Sequence, residues 1–511
     1  MFSRVYSGGI QGIDSYLAHV EVDVSKGMPG FEMVGLLGSE VREARERVRV
    51  ALKNTDFPLP PKRITVNISP ADIRKEGAAF DLAVAIGILV SAEYLSQDIL
   101  ADTLFVGELG LDGEVKRIRG ALPMMIMARE KGIKCCILPR ENAGEGAAIE
   151  GIKAIGVKTL EETIHYCRLE QEHRDSFLPP TQLDRKALFG RTDREDIPDF
   201  ADIRGQQLVK RAAVIAAAGF HHLMITGVPG TGKTMIAKRI PSILPPLSME
   251  ECLEVSKIYS VSGLLKQGKP LITQRPFLHP HHTISRQALI GGGRIPRPGL
   301  LSLSHRGVLF LDEFPEFGRE NIEGLRQPLE DKEVQIARSC ASITYPADFM
   351  LVAAMNPCPC GFYPDRNRCQ CTDNEIKRYR NRISGPIYDR MDLYVEAQPL
   401  KVETLQKNTA EPSSSQMRKQ VMGARKVQEK RYRNTPILFN SDLQAADIDR
   451  FCPLGKEEEK YMEKLFLTLG LSARAYHRIL KTARTIADLE EAERITTEHI
   501  SEAAGFRGWE L

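Results

Sequence analysis

The 511-residue sequence has no run approaching 18 uninterrupted apolar residues, which argues against a membrane span. Its start, MFSRVYSGGIQGIDSY, lacks the charged, apolar and small-residue zones of a signal peptide, so the expected compartment is the cytoplasm. Charge of one sign does not dominate: the net charge is +3, and any nucleic-acid binding must come from a local patch. Ten cysteines in a chain this long make no disulfide framework, although four crowd into one short segment. Internal repeats are absent. The length exceeds what one hydrophobic core usually organises, so two to four domains are expected.

The chain reads as α/β with a helical end. Up to about residue 175, short β-type runs such as Ala18–Val24 and Ile64–Ile68 alternate with helical ones such as Ser39–Lys53, with Ser39 as its expected N-cap. A polar stretch holding Pro179–Pro180 reads as a linker over 176–202. Residues 203–400 read as a second α/β unit. There Leu223–Thr226, Val308–Leu311 and Met350–Ala354 are apolar enough to be central parallel strands. From 401 to 511 the pattern is helical, with the last helix expected to be capped by Thr497.

Gly227-Val228-Pro229-Gly230-Thr231-Gly232-Lys233-Thr234 satisfies the G-x-x-x-x-G-K-[ST] pattern between a strand and a helix. Glycines there let backbone N–H groups turn inward around the phosphates of ATP. Lys233 would reach the β- and γ-phosphates, and the Thr234 hydroxyl would ligate Mg²⁺. Downstream, an apolar strand ends in Asp312–Glu313. Asp312 fits the Mg²⁺ shell and Glu313 the polarisation of the attacking water. Asn356 ends the next apolar strand, where a polar side chain would sit beside that water.

Together these residues look like the AAA+ superfamily of ATPases. Pro276–Thr283, Ala288–Gly293, Leu303–Glu313 and Asn356–Gly361 narrow the likeness to the magnesium-chelatase-like branch, and the sequence resembles the YifB/ComM family over essentially its whole length. The resemblance implies an ATP-driven branch-migration helicase acting on recombination intermediates during natural transformation. It makes Asn356 the sensor-1 residue, Arg390 the arginine finger with Arg382 in reserve, and Arg474 the sensor-2 arginine of a helical lid. A finger acts on a neighbour's nucleotide, so a homo-oligomeric ring is implied, by family a hexamer. Leu278 departs from the family pattern, which has a basic residue there; the His281–His282 pair remains. The first 175 residues resemble the Lon protease fold. Ala79 and Pro123 stand where Lon carries its serine and lysine, so peptidase chemistry is not expected. A magnesium-chelatase motor subunit and a protease-related regulator are the competing readings.

From Val255 to Leu311 there is no Asp or Glu, where the chain's average acidity would place about seven. The stretch carries eight Lys or Arg, among them Lys266, Lys269, Arg286, Arg294 and Arg297. Cations without neighbouring carboxylates are the expected footprint of a surface that tracks DNA phosphates. Val334–Tyr345 reads as a hairpin that places Arg338 near its turn as a further DNA contact. No base-reading helix is evident, so binding of single-stranded or branched DNA is expected to tolerate any sequence. Finally, Cys358-Pro-Cys360 and Cys369-Gln-Cys371 offer four thiolates for a structural Zn²⁺, with Cys340 and His305 as substitute ligands. One residue between the cysteines of each pair is tighter than the usual zinc spacing.

Overall fold

A computed structural model describes residues 1–184, 188, 198–338, 341–399 and 411–507. The chain forms two compact units: Met1–Arg191 with Ser248–Thr273, and Thr192–Leu247 with Gln274–Leu511.

In the first unit, β1 (Phe2–Gln11), β2 (Asp14–Ser25), β3 (Gly30–Val34), β4 (Arg63–Ser69), β5 (Thr103–Phe105), β6 (Cys135–Pro139) and β7 (Lys153–Val157) build one sheet in the order β3-β4-β2-β1-β5-β6-β7. β1 and β2 pair antiparallel, as do β2 and β4; the β1–β5, β5–β6 and β6–β7 pairs are parallel. Helix Asp81–Ser91 is buried along its whole length, as its run DLAVAIGILVS requires. Helix Ser39–Asn54 begins after Gly38, which makes no side-chain cap, so Ser39 is the first helical residue and not the N-cap.

The second unit carries a five-stranded parallel sheet: β8 (Leu223–Gly227), β9 (Phe277–Leu278), β10 (Val308–Leu311), β11 (Met350–Met355) and β12 (Leu393–Ala397), in the order β9-β10-β11-β8-β12. Every residue of β8, β10 and β11 is buried, which explains why the sequence shows unbroken apolar runs there. Helices Ser414–Arg431, Lys456–Leu469, Ala473–Leu489 and Thr497–Gly505 follow. The last is capped by Thr496, one residue earlier than expected, because Thr496 and His499 form a reciprocal capping box.

Two boundaries differ from the sequence reading. Helix Gln171–Phe177 runs into the expected linker, of which 185–187 and 189–197 lie outside the described residues, as do 401–410 of the expected lid. Residues 248–273 pack with the first unit rather than the second. The reason is polar as well as apolar. In helix Met249–Ser262, Ser260 donates to the buried carboxylate of Glu145 at 2.5 Å, and its carbonyl accepts from Gly120 N at 3.0 Å. Glu145 also accepts from Leu122 N and Asn142, so this helix adds a third donor to a buried acid.

Candidate active site

The phosphate loop leaves the carboxyl end of β8, and Gly232 takes φ +85° immediately before helix Lys233–Ala237. That left-handed turn is open to glycine and strained for other residues. It sends Lys233 back into the loop. Its Nζ donates to Gly227 O at 2.7 Å, to Val228 O at 3.1 Å and to Asn356 Oδ1 at 3.1 Å. Burial lowers the lysine's pKa, opposed by the charges of Asp312 and Glu313. Thr234 Oγ1 donates to Asp312 Oδ2 at 2.6 Å. A hydroxyl and a carboxylate in contact at the end of the phosphate loop could hold one Mg²⁺.

β10 delivers Asp312 and Glu313 beside β11, and β11 delivers Asn356 beside β8. The adjacency of these three strands is why residues 78 and 123 positions apart meet. Glu313 sits at φ +52°, a conformation uncommon for a glutamate, and its side chain is 58% exposed. Its carboxylate lies 3.4 Å from Nδ1 of His282. His282 packs against His281 with ring centroids 4.1 Å apart, and the His279 ring tilts against Phe310 of β10 at 4.7 Å. By sequence the histidine pair has no assigned role; its signal is the Pro276–Thr283 motif within the acid-free stretch.

Arg390 and Arg474 do not join this group. They meet at Glu330: Arg390 donates to Glu330 Oε2 and to Pro386 O, and Arg474 lies 3.7 Å from Glu330 Oε1. Arg390 is 5% exposed, whereas the Arg474 side chain is 62% exposed. Their cleft also takes in Lys332, Arg478 and Lys481. It lies at the amino-terminal edge of the parallel sheet, where Asp392 N and Leu393 N donate to His222 O just before β8 and β12 begin. The five residues of β8, at ~3.3 Å each, put roughly 13 Å between that edge and the phosphate loop. Arg382 lies at the other end, donating to Glu316 Oε2 at 2.7 Å close behind Glu313.

The acid-free stretch divides between the two units. Lys266 and Lys269 are exposed on the first unit, while Arg286, Arg294 and Arg297 are exposed on the second. Other cations of the stretch are used internally. Lys257 pairs with Asp14 at 2.8 Å, Arg275 is buried against Pro245 O and Arg306 O, and Arg306 pairs with Asp348 at 2.7 Å. Carboxylates absent from the segment are supplied by distant ones, which a linear count cannot show. Arg294 and Arg297 stay together on a short ribbon in which Gly291 pairs with Pro298 and Gly292 with Arg297. Strands Glu333–Arg338 and Ala341–Pro346 form the expected hairpin; the Arg338 side chain and Cys340 lie outside the described parts. His305 accepts from Asp348 N, ahead of β11, and so stands at the opposite end of that strand from the four cysteines.

Among the described residues no helix is long and apolar enough to cross a membrane. Three family models match the chain: "Magnesium chelatase, subunit ChlI" over residues 199–405, "Subunit ChlI of Mg-chelatase" over 20–142, and "Magnesium chelatase, subunit ChlI C-terminal" over 411–507. The chain is similar to the competence protein ComM of Haemophilus influenzae, 42% identical over 508 residues, which span 98% of this chain and 97% of the relative. It is similar to the protein YifB of Escherichia coli at 41% over 510 residues, 99% of this chain and 97% of the relative. The magnesium-chelatase 67 kDa subunit of Heliobacterium mobile is 27% identical over 230 residues, 39% of this chain and 34% of that subunit.

Proposed function

The chain belongs to the YifB/ComM family of magnesium-chelatase-like AAA+ proteins, and from that premise we propose that it is an ATP-hydrolysing ring motor that moves branched DNA. The observation that carries the reading is the separation within one chain of two half-sites. Lys233, Thr234, Asp312, Glu313 and Asn356 converge at the carboxyl ends of the strands, and Arg390 with Arg474 sits at the amino ends. Side chains at the sheet edge opposite their own phosphate loop, with the length of β8 between, are poorly placed to neutralise charge on their own γ-phosphate. They are positioned to serve the nucleotide of an adjacent subunit, which makes a closed homo-oligomeric ring, by family a hexamer, the working form.

In that ring the phosphate loop would hold ATP, and Thr234 and Asp312 would hold the Mg²⁺ whose charge offsets that of the phosphates. Lys233 and Asn356 hold the phosphates and the attacking water, Glu313 takes the water's proton, and the neighbour's Arg390 and Arg474 stabilise the transferred phosphoryl group. The exposed cations Arg286, Arg294 and Arg297, with Lys266, Lys269 and Arg338, supply phosphate contacts that any DNA sequence offers. The relative named a competence protein favours recombination intermediates formed during natural transformation as the substrate.

The likeness to a magnesium-chelatase subunit favours a second reading, a motor for metal insertion working with other subunits. ATPase assays on the pure full-length chain separate the two. Stimulation by forked or four-way DNA supports the DNA motor; basal turnover indifferent to any DNA favours the chelatase-type motor.

A further inference from the structure

Cys358, Cys360, Cys369 and Cys371 stand in the loop that follows Asn356, outside the chemistry described so far. Their four Sγ atoms all lie within 4.8 Å of one another. Cys358 Sγ is 3.4 Å from Cys360 Sγ and 3.7 Å from Cys369 Sγ, and Cys360 Sγ is 3.6 Å from Cys369 Sγ. All four are free thiols, far outside the ~2.05 Å of a disulfide. Four Zn–S bonds of ~2.3 Å arranged tetrahedrally give sulfur–sulfur edges of ~3.8 Å, close to these separations. An iron–sulfur cluster would spread its four thiolates over two or more irons, so that not all of them lie this close.

Three more observations point to an ion. The loop has almost no core of its own: Cys358, Cys369 and Ile376 are its buried apolar residues, with Phe362 and Tyr363 half-buried around them. A long loop with so little apolar burial needs a staple. Tyr363 N donates to Cys358 Sγ at 3.4 Å, the kind of backbone contact that holds a ligating sulfur in place. Two guanidinium groups stand in the same loop: Arg366 donates to Cys371 O at 3.1 Å, and Arg368 lies 4.0 Å from the centre of the Phe362 ring. Four thiolates around one divalent ion carry net negative charge, which such cations offset.

The loop also touches the phosphate site. Gly361 takes φ +85°, and a Cβ there would stand 2.6 Å from Cδ of Pro229 in the phosphate loop. Arg380 Nε donates to Pro357 O at 3.4 Å, tying helix Asp373–Arg380 to the residue after Asn356. We propose that the four cysteines form a structural Zn²⁺ site that braces the segment from Asn356 to Gly361 against the phosphate loop.

The test uses the full chain purified without added metal. About one zinc per chain is expected by mass spectrometry, lost in Cys369→Ser/Cys371→Ser, and Co²⁺ exchange should give thiolate charge-transfer and tetrahedral ligand-field bands. Wild-type protein with neither zinc nor such a cobalt spectrum overturns the site. For the brace, wild-type protein stripped of zinc by a mercurial and then reduced should bind a fluorescent ADP at least about fivefold more weakly, with affinity restored by Zn²⁺. Unchanged affinity after zinc loss overturns the brace. The zinc content reads out independently of whether the chain moves DNA.

Discussion

Nδ1 of His282 lies 3.4 Å from Oε2 of Glu313, so the carboxylate proposed to take the water's proton is held by a histidine at the end of the neighbouring edge strand. A general base does its work facing the water, and every contact that turns it elsewhere lowers turnover. His282→Ala is therefore expected to raise ATP hydrolysis without DNA about threefold, or ~0.7 kcal/mol of barrier, with nucleotide affinity unchanged. DNA stimulation should shrink in proportion. A variant with less basal turnover would show that His282 orients Glu313 productively instead.

Arg474 is exposed and sits at the far edge of the sheet from its own phosphate loop. Arg474→Ala and Lys233→Ala should each be nearly inactive alone, the second for want of nucleotide binding. Mixed in equal amounts with subunit exchange, they should recover about a quarter of wild-type sites, those pairing an intact loop with an intact neighbouring arginine. Steady-state phosphate release checks this; no recovery would place Arg474 in its own subunit's chemistry.

His222 Nδ1 accepts from Leu351 N at 3.1 Å, a bond that only the neutral ring can make. Burial pushes its pKa down to about 4, with Arg478 and Lys332 helping and Asp392 and Asp348 opposing. In the unfolded chain the ring takes a proton near pH ~6.5. Its stabilisation is thus present above that pH and lost as pH falls toward about 4, by up to ~3 kcal/mol. Urea midpoints should fall between pH 7 and pH 5, and His222→Gln should flatten that fall. An equal slope in the variant would remove His222 as the cause.

Arg294 and Arg297 flank one turn of exposed ribbon. If each meets one phosphate, Arg294→Ala/Arg297→Ala lowers the slope of log K against log salt by about 1.8 for duplex arms. Fluorescence anisotropy on a four-way junction measures it, and the loss should be the same for unrelated sequences. An unchanged slope moves the DNA surface elsewhere.

The parts of the site that were legible in the sequence are those where chemistry demands a fixed local pattern. Gly227 to Thr234 and Asp312–Glu313 follow buried strands whose apolar runs advertise them, and Asn356 ends a third. What was not legible is set by contacts between distant segments. That Arg390 and Arg474 share Glu330 depends on β12 starting level with β8, which no spacing reveals. The acid-free stretch looked continuous, yet Ser260 and Glu145 draw its first third into the other unit. The histidine pair was visible, but its partner Glu313 lies 31 positions away.

The most direct measurement of the central claim is strand exchange on a synthetic four-way junction by the pure full-length chain with ATP and Mg²⁺. The account predicts that wild-type protein converts the junction to its arms as ATP is consumed, and that Glu313→Gln binds nucleotide and DNA but leaves the junction intact. A junction left untouched while wild-type protein hydrolyses ATP would contradict the coupling of hydrolysis to DNA movement.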